Sequence, residues 1–258
     1  MNLRERTDMS TLLILLRKEL RAFFLSPFGW ILLTLVTIMQ GWSISSSMKA
    51  LQDAPIPESL VYIVFHMPQF WFYFLALFPL ITMRLFAEEE RTGTLETLLT
   101  APVQTWQLIL GKYLAVFCFY LVLWIPSFLQ FQIFGLLTNL DPPFGAGSLT
   151  GAFLLIILMG SLFIAIGTFA SSLTSSQIIA GVITVGLLFI HYFLGYITVI
   201  YGDQFPAAAL FHHISASEHL RDFSRGLINS RTVIYYLTAT TFVLLMTHHA
   251  LNYRRWKS

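Results

Sequence analysis

The sequence predicts an all-α membrane protein with six transmembrane helices, and two observations carry that prediction. Five stretches, residues 22–48, 59–83, 113–140, 142–202 and 232–253, contain no Lys, Arg, Asp or Glu. A bilayer core of about 30 Å takes roughly 20 apolar residues of helix to cross. The 61-residue stretch at 142–202 therefore holds two crossings and a turn. Composition agrees: 11% of the chain is charged, against about 25% in an average soluble domain. Lipid is thus the solvent for most of the chain, and a soluble helical core is set aside.

Each element follows in order. Segment 1–25 does not read as a cleaved signal peptide. Arg4 and Arg6 resemble a basic leader, but the apolar run 12–16 is too short, and Arg17, Lys18, Glu19 and Arg21 interrupt it. At 100° per residue, Leu13, Leu16, Leu20, Phe23 and Phe24 share one side while Lys18 and Arg21 point away. That pattern predicts an amphipathic helix lying along the membrane surface. Pro27 separates it from the first span.

The spans are placed at 28–47, 66–86, 107–136, 149–171, 177–200 and 232–251. Pro55 and Pro57 mark the first outer loop, and Asp141-Pro142-Pro143 with Gly145 and Gly147 marks the loop after span three. Ser171-Ser172 and Ser175-Ser176 bracket a short turn between spans four and five. Pro126 predicts tilt or a kink in the long third span. Segment 201–231 mixes Phe211, Ile214, Leu220, Phe223 and Leu227 with His, Glu and Arg. It reads as one or two short interfacial helices, because thirty residues are too few for an independent core. The whole chain, 1–258, is one transmembrane domain.

Basic residues orient the bundle. The N-terminus, the loop after span two and the C-terminus carry 11 of the 15 Lys and Arg residues. Both termini are therefore expected in the cytoplasm. A net charge of +2, with no basic cluster interleaved with aromatics, argues against a nucleic-acid partner. The single cysteine, Cys118, lies inside a span, so it forms no intrachain disulfide and reads as a small buried hydrophobe.

The informative polar segment joins spans two and three. It opens with Glu88, Glu89, Glu90 and Arg91, bends at Gly93, and continues through Thr94, Leu95, Glu96, Leu98 and Leu99 to Pro102. Gly93 permits a sharp bend, and Thr94 can cap a new helix. Leu95, Leu98 and Leu99 recur at helical spacing. The result is a short amphipathic helix across the mouth of the bundle. An exposed Leu stripe beside carboxylates suits docking in a groove of another protein. The alternative is a helix resting on lipid headgroups, and a Glu triplet beside anionic lipid speaks against it.

Other constellations carry less. A phosphate-cradling loop needs G-x-x-x-x-G-K-[ST]. At the only Gly-Lys pair, Gly111-Lys112, Trp106 stands at the first Gly position and Tyr113 follows the Lys. The chain is thus expected to have no ATPase of its own. His212, His213, Glu218 and His219 are the densest ligand-type cluster, but their spacing matches no metal motif and they read as interfacial imidazoles. Ser161 beside Gly160 lacks the frame of an intramembrane protease. Gly160, Ser161, Ala165, Gly167, Ala180, Gly181 and Gly186 read as close helix packing. His191 is the one ionisable residue at mid-span. It either lines a transport path or bonds to a neighbouring helix.

The run MRLFAEEERTGTLETLLTAPVQTWQLILGKYL resembles the signature of a permease subunit of ATP-binding-cassette (ABC) transporters, of the type-2 exporter family in its gliding-motility-associated branch. The opening LLRKELRAFFLSPFGWILLT and the closing RTVIYYLTATTF with RRW resemble that family's first and last segments. The resemblance implies six spans, an N-terminal elbow helix at 1–25, and a cytoplasmic coupling helix between helices 2 and 3. Carried onto this chain, the coupling region is Glu88, Glu89, Glu90, Arg91, Gly93, Thr94 and Glu96. Leu95, Leu98 and Leu99 supply its apolar face.

It further implies two ABC ATPase subunits, which hold ATP and Mg, and a second permease copy or homologue. A periplasmic accessory protein would be a further partner beside membrane lipid. The location implied is the bacterial inner membrane, multi-pass. Two alternatives stand beside an alternating-access exporter. One is a non-transporting mechanical transmitter acting on a periplasmic partner. The other is a nucleotide-independent channel or carrier, which His191 alone supports weakly.

Overall fold

The computed structural model describes residues 3–53, 59–100, 103–138, 145–201 and 208–257. Among them every regular element is a helix. The proline-rich first outer loop at 54–58, Pro102, and the Asp141-Pro142-Pro143 loop lie outside the described residues, as do the side chains of Arg4, Arg6 and Leu99.

Helix α1 (Leu3–Phe24) meets α2 (Pro27–Asp53) at a tight corner. Pro27 opens α2, where its missing N–H is no loss. Ser26 Oγ donates to the Phe23 carbonyl (3.2 Å) and accepts the Gly29 N–H (3.3 Å). The apolar side of α1 packs on α7, with Phe23 stacked on Phe119 at 4.9 Å and Phe24 edge-on at 5.4 Å. The packed face is rotated from the one expected. Leu16, Leu20, Phe23 and Phe24 are half-buried, but Leu13 is exposed and Glu19 turns inward. An inward Glu19 is explained by its buried partner, described below.

The second crossing begins later than expected. α3 (Leu60–His66) is a separate buried helix, and α4 (Pro68–Thr82) starts after a break. Met67 precedes Pro68 and is extended (φ −63°, ψ 139°), because a residue before proline is pushed out of the helical region. The crossing then runs through a turn into α5 (Ala87–Arg91), making a 24-residue segment, Pro68–Arg91, that is apolar up to Met83 and charged at its end. α6 (Thr94–Thr100) follows Gly93.

α7 (Thr105–Thr138) is a single helix of 34 residues that continues through Pro126. α8 (Ala146–Ser172) and α9 (Gln177–Tyr201) flank a four-residue turn closed by Thr174 and Ser176. α10 (Ala208–Ile214) and α11 (Ala216–Ser224) are the two short helices expected in 201–231, and α12 (Ser230–Lys257) closes the chain.

Among the described residues, five helices are long and apolar enough to cross a membrane: those of α2, α4–α5, α7, α8 and α9. α12 is as long, but Thr232, Thr238, Thr240, Thr241, Thr247 and the pair His248-His249 dilute its apolar character.

α8 is the hub, packed against α12, α9, α11, α4 and α7. Gly160 and Gly167 make this possible. A Cβ on Gly160 would enter the Tyr120 ring, and one on Gly167 would enter Thr82. Tyr120 donates to the Ile156 carbonyl (2.7 Å) and Tyr113 to that of Ser161 (3.2 Å), which satisfies both hydroxyls between α7 and α8. The core is a stack of rings, Phe65, Phe70, Phe74, Phe78, Trp124 and Phe163, in edge-on, stacked and tilted pairs. Such pairs are worth about 0.5–1.5 kcal/mol each beyond burial. α2 and α9 differ from the rest: only 33% and 28% of their crossing segments are buried, against 72% for α4–α5 and α8. Most of their surface therefore faces outward.

Candidate functional site

The polar segment after the second crossing folds into a knuckle, α5–Gly93–α6. Thr92 caps α5, its N–H reaching the Glu88 carbonyl (3.0 Å) and its hydroxyl the same oxygen (2.9 Å). Gly93 takes φ +72°, a left-handed conformation that L side chains resist. The bend foreseen at Gly93 is there, and α6 starts at Thr94. The Thr94 hydroxyl ties back to the Glu89 carbonyl (3.3 Å).

Four other helices hold this knuckle. Lys112 of α7 is buried, with its Nζ 2.8 Å from Glu89 Oε1 and 3.0 Å from Glu19 Oε1 of α1. A buried ammonium needs such pairing. Lys18 stands 3.7 and 3.9 Å from the same two oxygens. Ser171, at the end of α8, accepts the backbone N–H groups of Phe86 (3.0 Å) and Ala87 (3.1 Å) and donates to the Met83 carbonyl (3.2 Å). It thereby satisfies orphan groups at the α4–α5 turn. Arg254 near the end of α12 pairs with Glu90 Oε2 at 2.8 Å.

The residues singled out in sequence thus divide into two groups. Glu89 and Glu90 are tied to other helices, and Glu88 is half-buried beside a cavity. Arg91, Gly93, Thr94 and Glu96 are exposed, together with Thr92 and Thr97. Leu95 and Leu98 do not form an outward stripe. Leu95 is 2% exposed and Leu98 packs against the core. Helical spacing announces an apolar face, but it does not say whether the parent bundle already covers it.

His191 is elsewhere, buried near α12, edge-on to Phe163 (5.4 Å) and facing Tyr235 (6.4 Å). Its Nε2 has no hydrogen-bond partner among the described residues. The His212, His213, Glu218 and His219 group rims a polar cavity of about 260 Å³ with Asp222 and Arg231. Among the described residues, no group of three or more metal-type side chains has metal-holding geometry. His219 is held down to about 4 by burial first, then by His213 and His191. Glu19, Lys112, Ser171 and Arg254 were not foreseen as a set. Each lies far along the chain from its partner, so no local pattern signals it.

A multi-pass helical bundle with a polar knuckle braced against four helices defines an integral membrane protein that carries a fixed projection at one end. Residues 44–247 match the family described as ABC-2 family transporter protein. The match spans most of the chain, which therefore belongs to that family, as a permease of the type-2 ABC class. A comparison with curated proteins found no match.

Proposed function

We propose that this chain is the membrane-spanning subunit of an ATP-driven exporter, with two separate ATPase subunits docking on the α5–α6 knuckle. α12 serves as the sixth crossing, α1 as the elbow helix, and the knuckle as the coupling helix. Both termini and the knuckle lie on the cytoplasmic side of a bacterial inner membrane. Within the family, the central run favours the gliding-motility-associated branch. The carrying observation is the bracing of the knuckle: Lys112, Ser171 and Arg254 tie it to α7, α8 and α12, and Glu19 adds α1. A push on a loop so tied moves helices, whereas a push on a loose loop is dissipated.

The docking surface is the exposed ridge of Arg91, Thr92, Thr94, Glu96 and Thr97, not the leucine stripe. ATP is held by the partners, and this chain supplies no nucleotide site. ATP binding draws the partners together and shifts a permease pair between inward- and outward-open populations, by no more than the difference in ATP affinity between the two states. The outward surfaces of α2 and α9 suit contact with a second permease as well as lipid.

Glu96→Arg reverses a charge on the ridge without touching the core. It should reduce co-purification of the ATPase severalfold while the permease stays monodisperse. Undiminished co-purification and transport would overturn the coupling role. The ring-filled interior favours one second reading, a mechanical transmitter that passes ATPase strokes to a periplasmic partner, because rings occupy the space inside one protomer. Substrate-free ATP turnover at the full rate, with no solute moved, would support that reading.

A further inference from the structure

A cavity of about 290 Å³ opens where α1, α2, α4, α5 and α7 meet. Its volume lies near the lower end of ligand pockets, roughly 300–1,000 Å³, which suits a headgroup rather than a large solute. Three cations, Lys18, Arg84 and Lys112, and three carboxylates, Glu19, Glu88 and Glu89, line it. The remaining wall includes Phe28, Leu80, Ile81 and Leu85. Charge in balance around an apolar wall selects an amphiphile that carries both signs.

The charges are not all satisfied internally. Lys112 is paired with Glu19 and Glu89. Arg84 and Glu88 have no ion-pair partner among the described residues. The Arg84 guanidinium lies over the Phe28 ring at 4.6 Å, a stacking that leaves its N–H edge available to an oxyanion. Glu89 Oε2 is buried and unpartnered. One molecule meets both needs, with a phosphate on Arg84 and Lys18 and a primary ammonium on Glu88 and Glu89 Oε2. Trp30 and Ile31, which follow on α2, are exposed and offer apolar surface to an acyl chain near this end of the bundle.

We propose that this cavity binds the headgroup of a zwitterionic, primary-amine phospholipid of the phosphatidylethanolamine class. A primary ammonium donates three hydrogen bonds to carboxylates. A choline headgroup donates none, and a glycerol headgroup would leave Glu88 without a cation. The inference rests on the membrane reading but not on which end of the bundle is cytoplasmic, since detergent exposes both ends. Its failure and a failure of the topology are therefore separate results.

The test is native mass spectrometry of the detergent-purified chain offered equimolar phosphatidylethanolamine, phosphatidylcholine and phosphatidylglycerol. The ethanolamine adduct should dominate. Arg84→Gln and Glu88→Gln should each lower it about tenfold, as loss of one charge-assisted contact of about 1.4 kcal/mol would. Arg91→Gln, outside the cavity, should leave it unchanged. Arg84 is exposed and makes no interhelical ion pair among the described residues, and Arg84→Lys keeps the phosphate contact and should keep binding if Arg84→Gln aggregates. Soluble glycerophosphoethanolamine in excess should not displace the lipid. Equal adducts from the three lipids, unchanged adducts in both Gln variants, or displacement by the soluble headgroup would overturn the proposal.

Discussion

Removing the Lys112 ammonium is the sharpest perturbation of the braced knuckle. At 2.8 and 3.0 Å and an effective dielectric near 20, each attraction is worth about 5–6 kcal/mol before desolvation. Taking the three ions out of water opposes this by several kcal/mol per ion. The intact bridge is thus worth little in net stability. Lys112→Met is different, because it leaves Glu19 and Glu89, with side chains only 13% and 14% exposed, facing each other with the solvated, more distant Lys18 as their remaining cation. Breaking a buried pair on one side costs about 3–5 kcal/mol. For a chain of this size, with about 2–4 °C per kcal/mol, the midpoint of thermal unfolding in detergent should fall by on the order of 10 °C.

The triple variant Lys112→Met, Glu19→Gln, Glu89→Gln removes the three buried charges, leaves only the solvated Lys18 of the cluster charged, and should recover most of that loss. Differential scanning fluorimetry on Trp emission reads both. A single-variant loss under about 1 kcal/mol, or a triple variant no better than the single, would refute the reasoning.

Two further outcomes follow from the packing. Ser171→Ala strands the Phe86 and Ala87 N–H groups. It should cost about 1–3 kcal/mol per stranded group and should weaken coupled ATPase stimulation more than Ser172→Ala does. His219 gives a pH signature. Its folded value of about 4 lies below the ordinary 6.5, so above pH 6.5 both states are neutral and nothing is lost. As pH falls from 6.5 to 4, the unfolded state takes up the proton first and stability drops, by about 2 kcal/mol at pH 5. His219→Phe should flatten that part of the unfolding-midpoint profile between pH 7 and 5, and an unchanged slope would contradict it.

Five of the six expected crossings were legible because their determinant is local: a span avoids charge over most of its length. The proline and serine corners at Ser26-Pro27 and 173–176 were legible for the same reason. α3 was hidden because its residues are as apolar as those of the crossing that follows, and only the dipeptide Met67-Pro68 betrays the break. The site was half legible. Its bend at Gly93 and its carboxylates stand in one run of sequence. The braces do not, since Lys112 lies 93 residues from Glu19 and 23 from Glu89, and Ser171 lies 85 from Phe86. Contacts at such separations depend on how helices pack, which no periodicity records. The inward turn of Leu95 was misjudged for that reason, because the bundle beneath it was not visible.

The central claim is that the knuckle faces the cytoplasm and meets an ATPase there. Thr92 is exposed on it. A Thr92→Cys variant in a Cys118→Ser background can be probed with a membrane-impermeant maleimide. The account predicts no labelling in intact cells, strong labelling in inside-out vesicles, and protection there when the ATPase subunits are bound. Labelling from outside intact cells would contradict it.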